Sequence, residues 1–351
     1  MLAYLSKMAP ANHRGKLNFI FYLMNTFGIF AANSINYGTS KSKSDKGWRT
    51  SLGLPAVPAF FITLGSLFLP DTPDSLINRG HNDAAKVVLR RIRDTLDIDQ
   101  EYADLVAASE ASQAVGKPWR DIFRREHIAH FKMAVVIPLF QQFTGTNAVT
   151  LYMSVLFRAI GFSDHMSLLY PMITTGLANI IGTLLAVFIV GRWDRRTLFL
   201  VGGIQMIVCQ AVVGGLVTFS LGTTGVGTVS AGYASSVVVF ICFYIVGNAY
   251  SWGLWGWLIS GEIFPLEIRS AEQMIDVCVS MLCQFVIAQF FPTMVCLFKS
   301  GIFFFYAFFA VIMTTFIFLF MPEGENMEIE EMLLFWKERR FLRRSSLTRM
   351  F

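Results

Sequence analysis

Three carboxamide side chains interrupt one otherwise apolar stretch: Gln141, Gln142 and Asn147, within Pro138-Leu-Phe-Gln-Gln-Phe-Thr-Gly-Thr-Asn147. A carboxamide donates and accepts hydrogen bonds at once, and it costs free energy in hydrocarbon unless it meets a cavity, another helix or a ligand. The chemistry open to such groups is recognition of a neutral polar molecule. On an unbroken helix Gln142 sits about 100° around the axis from Gln141, and Asn147 about 240° from it. They share no face, so a common ligand requires the helix to break, and Thr144-Gly145-Thr146 is where it can do so. Hydrogen bonding between helices is the competing role for the same amides.

Other polar side chains fall in neighbouring apolar stretches: Asn179, Gln284, and Trp257 shortly after Gly253 and Gly256. Amides with an indole suit a neutral polyhydroxy ligand, whose hydroxyls meet the amides and whose C–H face meets the ring. An ionic substrate would call for a charge within the membrane. The acid that lies well inside an apolar stretch is Asp276, with Glu272 one turn before it. Asp276 is the candidate proton site, and pairing with Arg269 or snorkelling to the membrane surface is the competing role. Two turns carry charges of both signs at adjacent helix ends, Arg192-Trp-Asp194-Arg195-Arg196 and Glu262-Ile-Phe-Pro-Leu-Glu267-Ile-Arg269. Such charges can form a network that holds one face closed and breaks when it opens. Orientation by positive charge explains the arginines as well, but explains Glu262 and Glu267 less well.

No catalytic constellation is present. Gly225-x-Gly227 lacks a third glycine, and there is no P-loop, GxSxG or HExxH pattern. His127 and His130, beside Glu126, read as a solvated pair at a basic membrane border rather than a zinc site. The five cysteines fall in apolar segments without metal spacing and read as packing residues. The expectation is a protein that is not an enzyme, without cofactor, metal or nucleic-acid partner.

The elements that would position these residues are membrane spans. Of 351 residues, 54% are hydrophobic and 15% charged, with 34 Phe, and the mean hydropathy is positive. That composition belongs to an all-α, multi-pass membrane protein whose partner is the lipid bilayer. Segment length predicts eight spans, at Leu17 to Tyr37, Leu52 to Leu69, Met133 to Phe157, Leu168 to Val190, Thr197 to Phe219, Tyr233 to Leu258, Ile275 to Leu297 and Ile302 to Met321. The Lys and Arg distribution favours cytoplasmic N- and C-termini, against a local conflict at Lys41, Lys43, Lys46 and Arg49. No cleavage pattern precedes Leu17, so the first span is expected to act as a signal anchor. The expected divisions are residues 1–70 with two spans, a cytoplasmic loop over 71–131, a six-helix bundle over 132–321, and a cytoplasmic tail over 322–351. Within the loop, Ala84, Val87, Val88 and Ile92 predict an amphipathic helix from Asp83 to Asp94, and two more helices are expected at Glu101 to Val115 and Trp119 to Glu126. Gly222 to Gly232 reads as a flexible outer loop. The tail from Met327 to Phe341 reads as a surface helix that ends in a basic run before Ser345 and Ser346.

Gln141-Gln142-Phe-Thr-Gly145-Thr-Asn147, Pro70-Asp-Thr-Pro73-Asp-Ser, Gly256-Trp257-Leu, Glu262-Ile-Phe-Pro-Leu-Glu-Ile-Arg269-Ser-Ala and Pro322-Glu323 together resemble the sugar porters of the major facilitator superfamily. Tyr4-Leu-Ser-Lys-Met-Ala-Pro-Ala, Asn33-x-Ile-Asn36-Tyr-Gly-Thr and Gly202-Gly-Ile-Gln-Met are similar, more narrowly, to plant monosaccharide/proton symporters. The resemblance covers essentially the whole chain. It implies a twelve-span fold working by alternating access, of which eight spans are present here, with the C-terminal six complete. It further implies transport of a glucose-like hexose, coupled to protons, across the plasma membrane. The implied sugar contacts are Gln141, Gln142, Asn147, Asn179 and Trp257, with Gln284 facing the cavity, and Glu323 joins the charge network. The four spans that are not present would supply the family's own proton-carrying acid. This chain also departs from the pattern: Tyr22 and Ser280 stand where family amides are expected, and Lys7 replaces an acid, which sets like charge against the arginines. The alternative expectation is a non-transporting homologue that acts as a sugar-binding or regulatory partner of a full-length transporter, or has no activity.

Overall fold

The structure, a computed structural model, describes residues 14–41, 46–93, 98–114, 128–159, 163–189, 192–221, 231–253 and 269–320, together with Tyr4, Met8 and Ile122. Among the described residues there is no strand, and the chain runs as a series of helices. These are α1 (Arg14–Ser40), α2 (Lys46–Gly53), α3 (Ala56–Phe68), α4 (Pro73–Asn78), α5 (Asn82–Arg93) and α6 (Asp99–Ala114), then α7 (Ile128–Phe143), α8 (Thr146–Ala159) and α9 (Asp164–Pro171). A π-helical turn, Met172–Leu177, joins α9 to α10 (Ala178–Ile189). After α11 (Arg195–Leu221) and α12 (Ala231–Asn248) comes a second π-helical turn, Ala249–Gly253, and the described chain closes with α13 (Arg269–Phe298) and α14 (Gly301–Phe320).

Among the described residues, six helical segments are long and apolar enough to cross a membrane: Gly47–Phe68, Met166–Ile189, Arg196–Phe219, Ser235–Gly253, Ala271–Phe298 and Gly301–Leu319. They match six of the eight expected spans. The other two are helical but differ for physical reasons. α1 is 27 residues long, yet Asn18, Asn25, Asn33 and Asn36 dilute its apolar character. The segment from Met133 to Phe157 is divided between α7 and α8 by the break at Gly145.

α11 is the hub of the packing, lying against α12 on one side and α14 on another. Leu198, Phe199, Met206 and Val213 bury its inner faces. α7 lies along α13 and meets α14 through Phe143 stacked on Phe309 (4.6 Å between centroids) and Phe140 against Phe316 (5.2 Å). α10 approaches the end of α12 and the second π turn closely at Gly182, where a Cβ would stand 2.7 Å from that of Ala249 and 3.0 Å from the Val246 Cα. Small residues at such crossings let dispersion contacts replace the hydrophobic drive that lipid removes. α1 crosses to this assembly: Asn33 Nδ2 donates to Thr175 Oγ1 (2.9 Å) in the first π turn, and that hydroxyl donates on to Pro171 O (2.6 Å). Proline has no amide hydrogen, and Pro292 in α13 therefore leaves the carbonyl of Ala288 without its helical donor. The Tyr152 hydroxyl donates to that carbonyl at 2.9 Å, and its ring stacks on Phe291.

The loop helices differ from expectation in phase. α5 forms over Asn82–Arg93, but its buried stripe is Ala85 and Leu89, while Ala84 and Val87 are exposed. α6 is a helix as expected, with its apolar residues spread around the axis. Arg93 draws the two together, its guanidinium forked onto Glu101 (2.8 Å from Nε, 2.5 Å from Nη2), and it also donates to Met8 O (3.1 Å). The hydrogen bond to Glu101 raises the Arg93 pKa above its ordinary value, against the lowering effect of burial. Tyr4 donates to Pro70 O (3.0 Å), and burial, then the charge of Asp71, raises its phenol pKa. The expected helix at Trp119 to Glu126 lies outside the described residues, apart from a buried Ile122, and so do the Gly222–Ser230 part of the outer loop and the tail.

Candidate functional site

The site is built on a broken helix. α7 ends at Phe143, Gly145 takes a left-handed φ of +83°, and α8 restarts at Thr146. Glycine reaches that region without steric cost. A side chain would also collide here, since a Cβ on Gly145 would stand 2.6 Å from the Tyr306 ring. A break frees backbone groups that must find other partners in a membrane. The carbonyl of Thr144 finds two, the Tyr244 hydroxyl at 2.8 Å and Gln210 Nε2 at 3.1 Å. The Thr144 hydroxyl turns back onto Gln141 O (2.7 Å), and Thr146 Oγ1 meets the Tyr244 hydroxyl (2.9 Å).

The break brings two of the three amides together. Asn147 Nδ2 donates to Gln142 Oε1 at 2.9 Å, and Gln142 Nε2 donates to Ser280 Oγ on α13 at 2.8 Å. Gln142 is only 3% exposed, whereas Asn147 opens outward and Gln141 is half-buried beside them. Gln284 is half-buried on α13, one turn beyond Ser280 and on the same face. Asn179 is half-buried at the start of α10, directly after the first π turn, and its backbone carbonyl accepts from the Thr183 hydroxyl (2.9 Å). Trp257 lies outside the described residues, as do Glu262, Glu267 and Glu323.

Of the charged turns, Arg192 is exposed and Asp194 half-buried, while the backbone of Arg195 and of Arg269 starts α11 and α13. Arg196 reaches the end of α14, donating to Phe318 O (2.8 Å) and lying over the Phe318 ring at 5.3 Å. The last carbonyls of a helix have no intrahelical donor and carry partial negative charge, so a guanidinium is well placed there. Asp276 is buried (6% exposed), and Glu272 more fully so.

Sequence reasoning missed two groups and gave a third, Ser280, no contact. Tyr244 and Gln210, which hold the unwound carbonyl, carry no local signal, because their role exists only once the break is packed. Ser280 is visible in sequence as a serine among apolar residues, but only the contact with Gln142 gives it a part.

The arrangement is a set of neutral donors and acceptors gathered at a helix break inside a helical membrane protein. The sequence profile of the family described as "Sugar (and other) transporter" matches residues 2–336. The chain is 57% identical over 342 residues to "Sugar transport protein MST3" of Oryza sativa subsp. japonica, covering 97% of this chain and 66% of that protein. It is 50% identical over 335 residues to "Sugar transport protein 1" of Arabidopsis thaliana, covering 95% and 64%. The fold is that of the major facilitator superfamily proton:xylose symporter XylE of E. coli, solved with 6-bromo-6-deoxy-D-glucose, at a TM-score of 0.76 and 24% identity over 95% of this chain and 70% of that one. The chain thus spans about two thirds of the length of the curated relatives it matches. With the profile matched along nearly its entire length, the chain belongs to the sugar (and other) transporter family.

Proposed function

We propose that this chain binds a glucose-like hexose at the α7–α8 break and carries it across the membrane by alternating access, with protons as the coupling ion. The observation that carries the reading is the hydrogen-bonded run Asn147–Gln142–Ser280, held at the break by Tyr244 and Gln210. Neutral amides and hydroxyls suit a sugar's hydroxyls. The relatives' names as sugar transport proteins support the same substrate class. Gln141, Gln142, Asn147, Asn179, Trp257 and Gln284 are the proposed sugar contacts, and Arg192, Asp194, Arg195, Arg196, Glu262, Glu267, Arg269 and Glu323 the proposed gating charges. The divisions 1–70, 71–131, 132–321 and 322–351 are proposed as its working parts. The proposed location is the plasma membrane with both termini cytoplasmic, supported by the basic residues beside the spans.

One observation favours a second reading. α3 has no buried residue, and Phe60, Phe61, Leu67 and Phe68 stand exposed. A helix so bare can seat another membrane chain, which supports a partner role beside a full-length transporter. The deciding experiment is radiolabelled glucose uptake by this chain in a hexose-transport-deficient yeast strain, with surface expression checked. Uncoupler-sensitive uptake is the expected result. Good surface expression without uptake, together with sugar binding by the purified chain, would shift the case to the partner.

A further inference from the structure

The seam between α13 and α7 holds more than the contact from Gln142 to Ser280. Glu272, Asp276 and Ser280 are spaced by four residues on one face of α13, and all three are buried, at 0%, 6% and 1% exposure. At about 1.5 Å of rise per residue, Glu272 lies about 12 Å along the helix from the hydroxyl that holds Gln142. Neither carboxylate oxygen of Glu272 has a hydrogen-bond partner among the described residues. An acid in the first turn of a helix is stabilised in its ionised form where it accepts from free amide N–H groups, and among the described residues Glu272 accepts from none.

The other titratable groups of the packed elements are few. α7 carries His130 and the exposed Lys132, α8 carries Tyr152, which bonds Ala288 O, and the exposed Arg158, and α14 carries Tyr306. α13 itself adds Arg269, Asp276, Cys278, Cys283 and Cys296. An ionised carboxylate sealed from water with nothing donating to it is far costlier than the neutral acid.

We propose that Glu272 is a proton-binding residue of this chain, protonated while α13 is closed on α7 and released when the seam opens. One proton joins the carboxylate from water on one side of the membrane, and the same proton leaves to water on the other side. Gln142 is the link to sugar. Its Nε2 hydrogen bond to Ser280 is one of the contacts that hold α13 in place, and a sugar hydroxyl that takes this donor loosens the helix that seals Glu272. The coupling rests on the sugar-binding reading, whereas the protonated carboxyl does not.

The test is infrared difference spectroscopy of the full chain in lipid nanodiscs, following the C=O stretch of a protonated carboxyl against pH. At neutral pH the band is expected in the unaltered chain and in Asp276→Asn, shifted in Glu272→Asp, and lost in Glu272→Gln, with circular dichroism confirming that each variant is folded. Absence of the band at neutral pH, as an ion pair with Arg269 would give, overturns the proposal, and so does an unchanged band in Glu272→Gln. Added glucose is expected to shift the band. A band that answers to pH but not to glucose overturns the coupling, and the sugar-binding reading is then decided separately by the uptake assay.

Discussion

Gln142 uses both ends of its amide inside the protein, donating to Ser280 and accepting from Asn147. A sugar hydroxyl must therefore replace a bond that already exists, and a neutral hydrogen bond contributes a net of only about 0.5–1.5 kcal/mol. Affinity then comes from several such exchanges at once. Gln142→Ala removes the exchange and leaves Ser280 and Asn147 without their partner. Glucose affinity is expected to fall at least about tenfold, or about 1.4 kcal/mol, measured by equilibrium binding to the purified chain; undiminished affinity would remove Gln142 from the site. Tyr152 offers a cleaner stability measurement. Tyr152→Phe keeps the ring on Phe291 but orphans the carbonyl freed by Pro292, and about 1 kcal/mol should be lost in a membrane setting. Thermal unfolding in detergent reads that loss. The amides were legible in the sequence because polar groups in a span are rare. Their partners were not, because a serine or tyrosine becomes a partner only when two helices fix which faces meet.

At the scale of elements, the break at Gly145 joins a backbone requirement to a packing requirement. Gly145→Ala should cost about 1–2 kcal/mol for the left-handed backbone alone, with more from the collision with Tyr306. Combining it with Tyr306→Ala should remove the steric part of the strain and leave the backbone part, so only a partial relief of strain is expected in a double-mutant comparison of unfolding. This break was readable in sequence, since Thr-Gly-Thr stands between amides that no intact helix could bring together. The π turns at Met172–Leu177 and Ala249–Gly253 were not. One wider turn barely disturbs the apolar period, so a reading based on periodicity passes over it. The phase of α5 differs for another reason: Ala85 is small enough to be pressed flat against a neighbour, and Leu89, one turn on, is buried on the same face.

For the whole molecule, the segments before and after the first spans are fastened together. Arg93 grips Glu101 and Met8 at once, and Tyr4 reaches Pro70. Because the Glu101 side chain is 41% exposed, the ion pair itself should be worth no more than about 1 kcal/mol. Arg93→Ala is therefore expected to change the unfolding temperature little while speeding limited proteolysis ahead of α1; unchanged cleavage would show that the fastening is held elsewhere. The segment Gly47–Phe68 is the opposite case, a span of 22 residues with none of its apolar window buried inside the protein. At about 1.5 Å per residue it is about 33 Å long, close to the hydrocarbon thickness of about 30 Å. Side-chain fit does little to fix its slope, so the acyl chains must do so. In bilayers of shorter lipids this span should lean over while α11 and α14 keep their spacing, which makes it a gauge of the membrane it sits in.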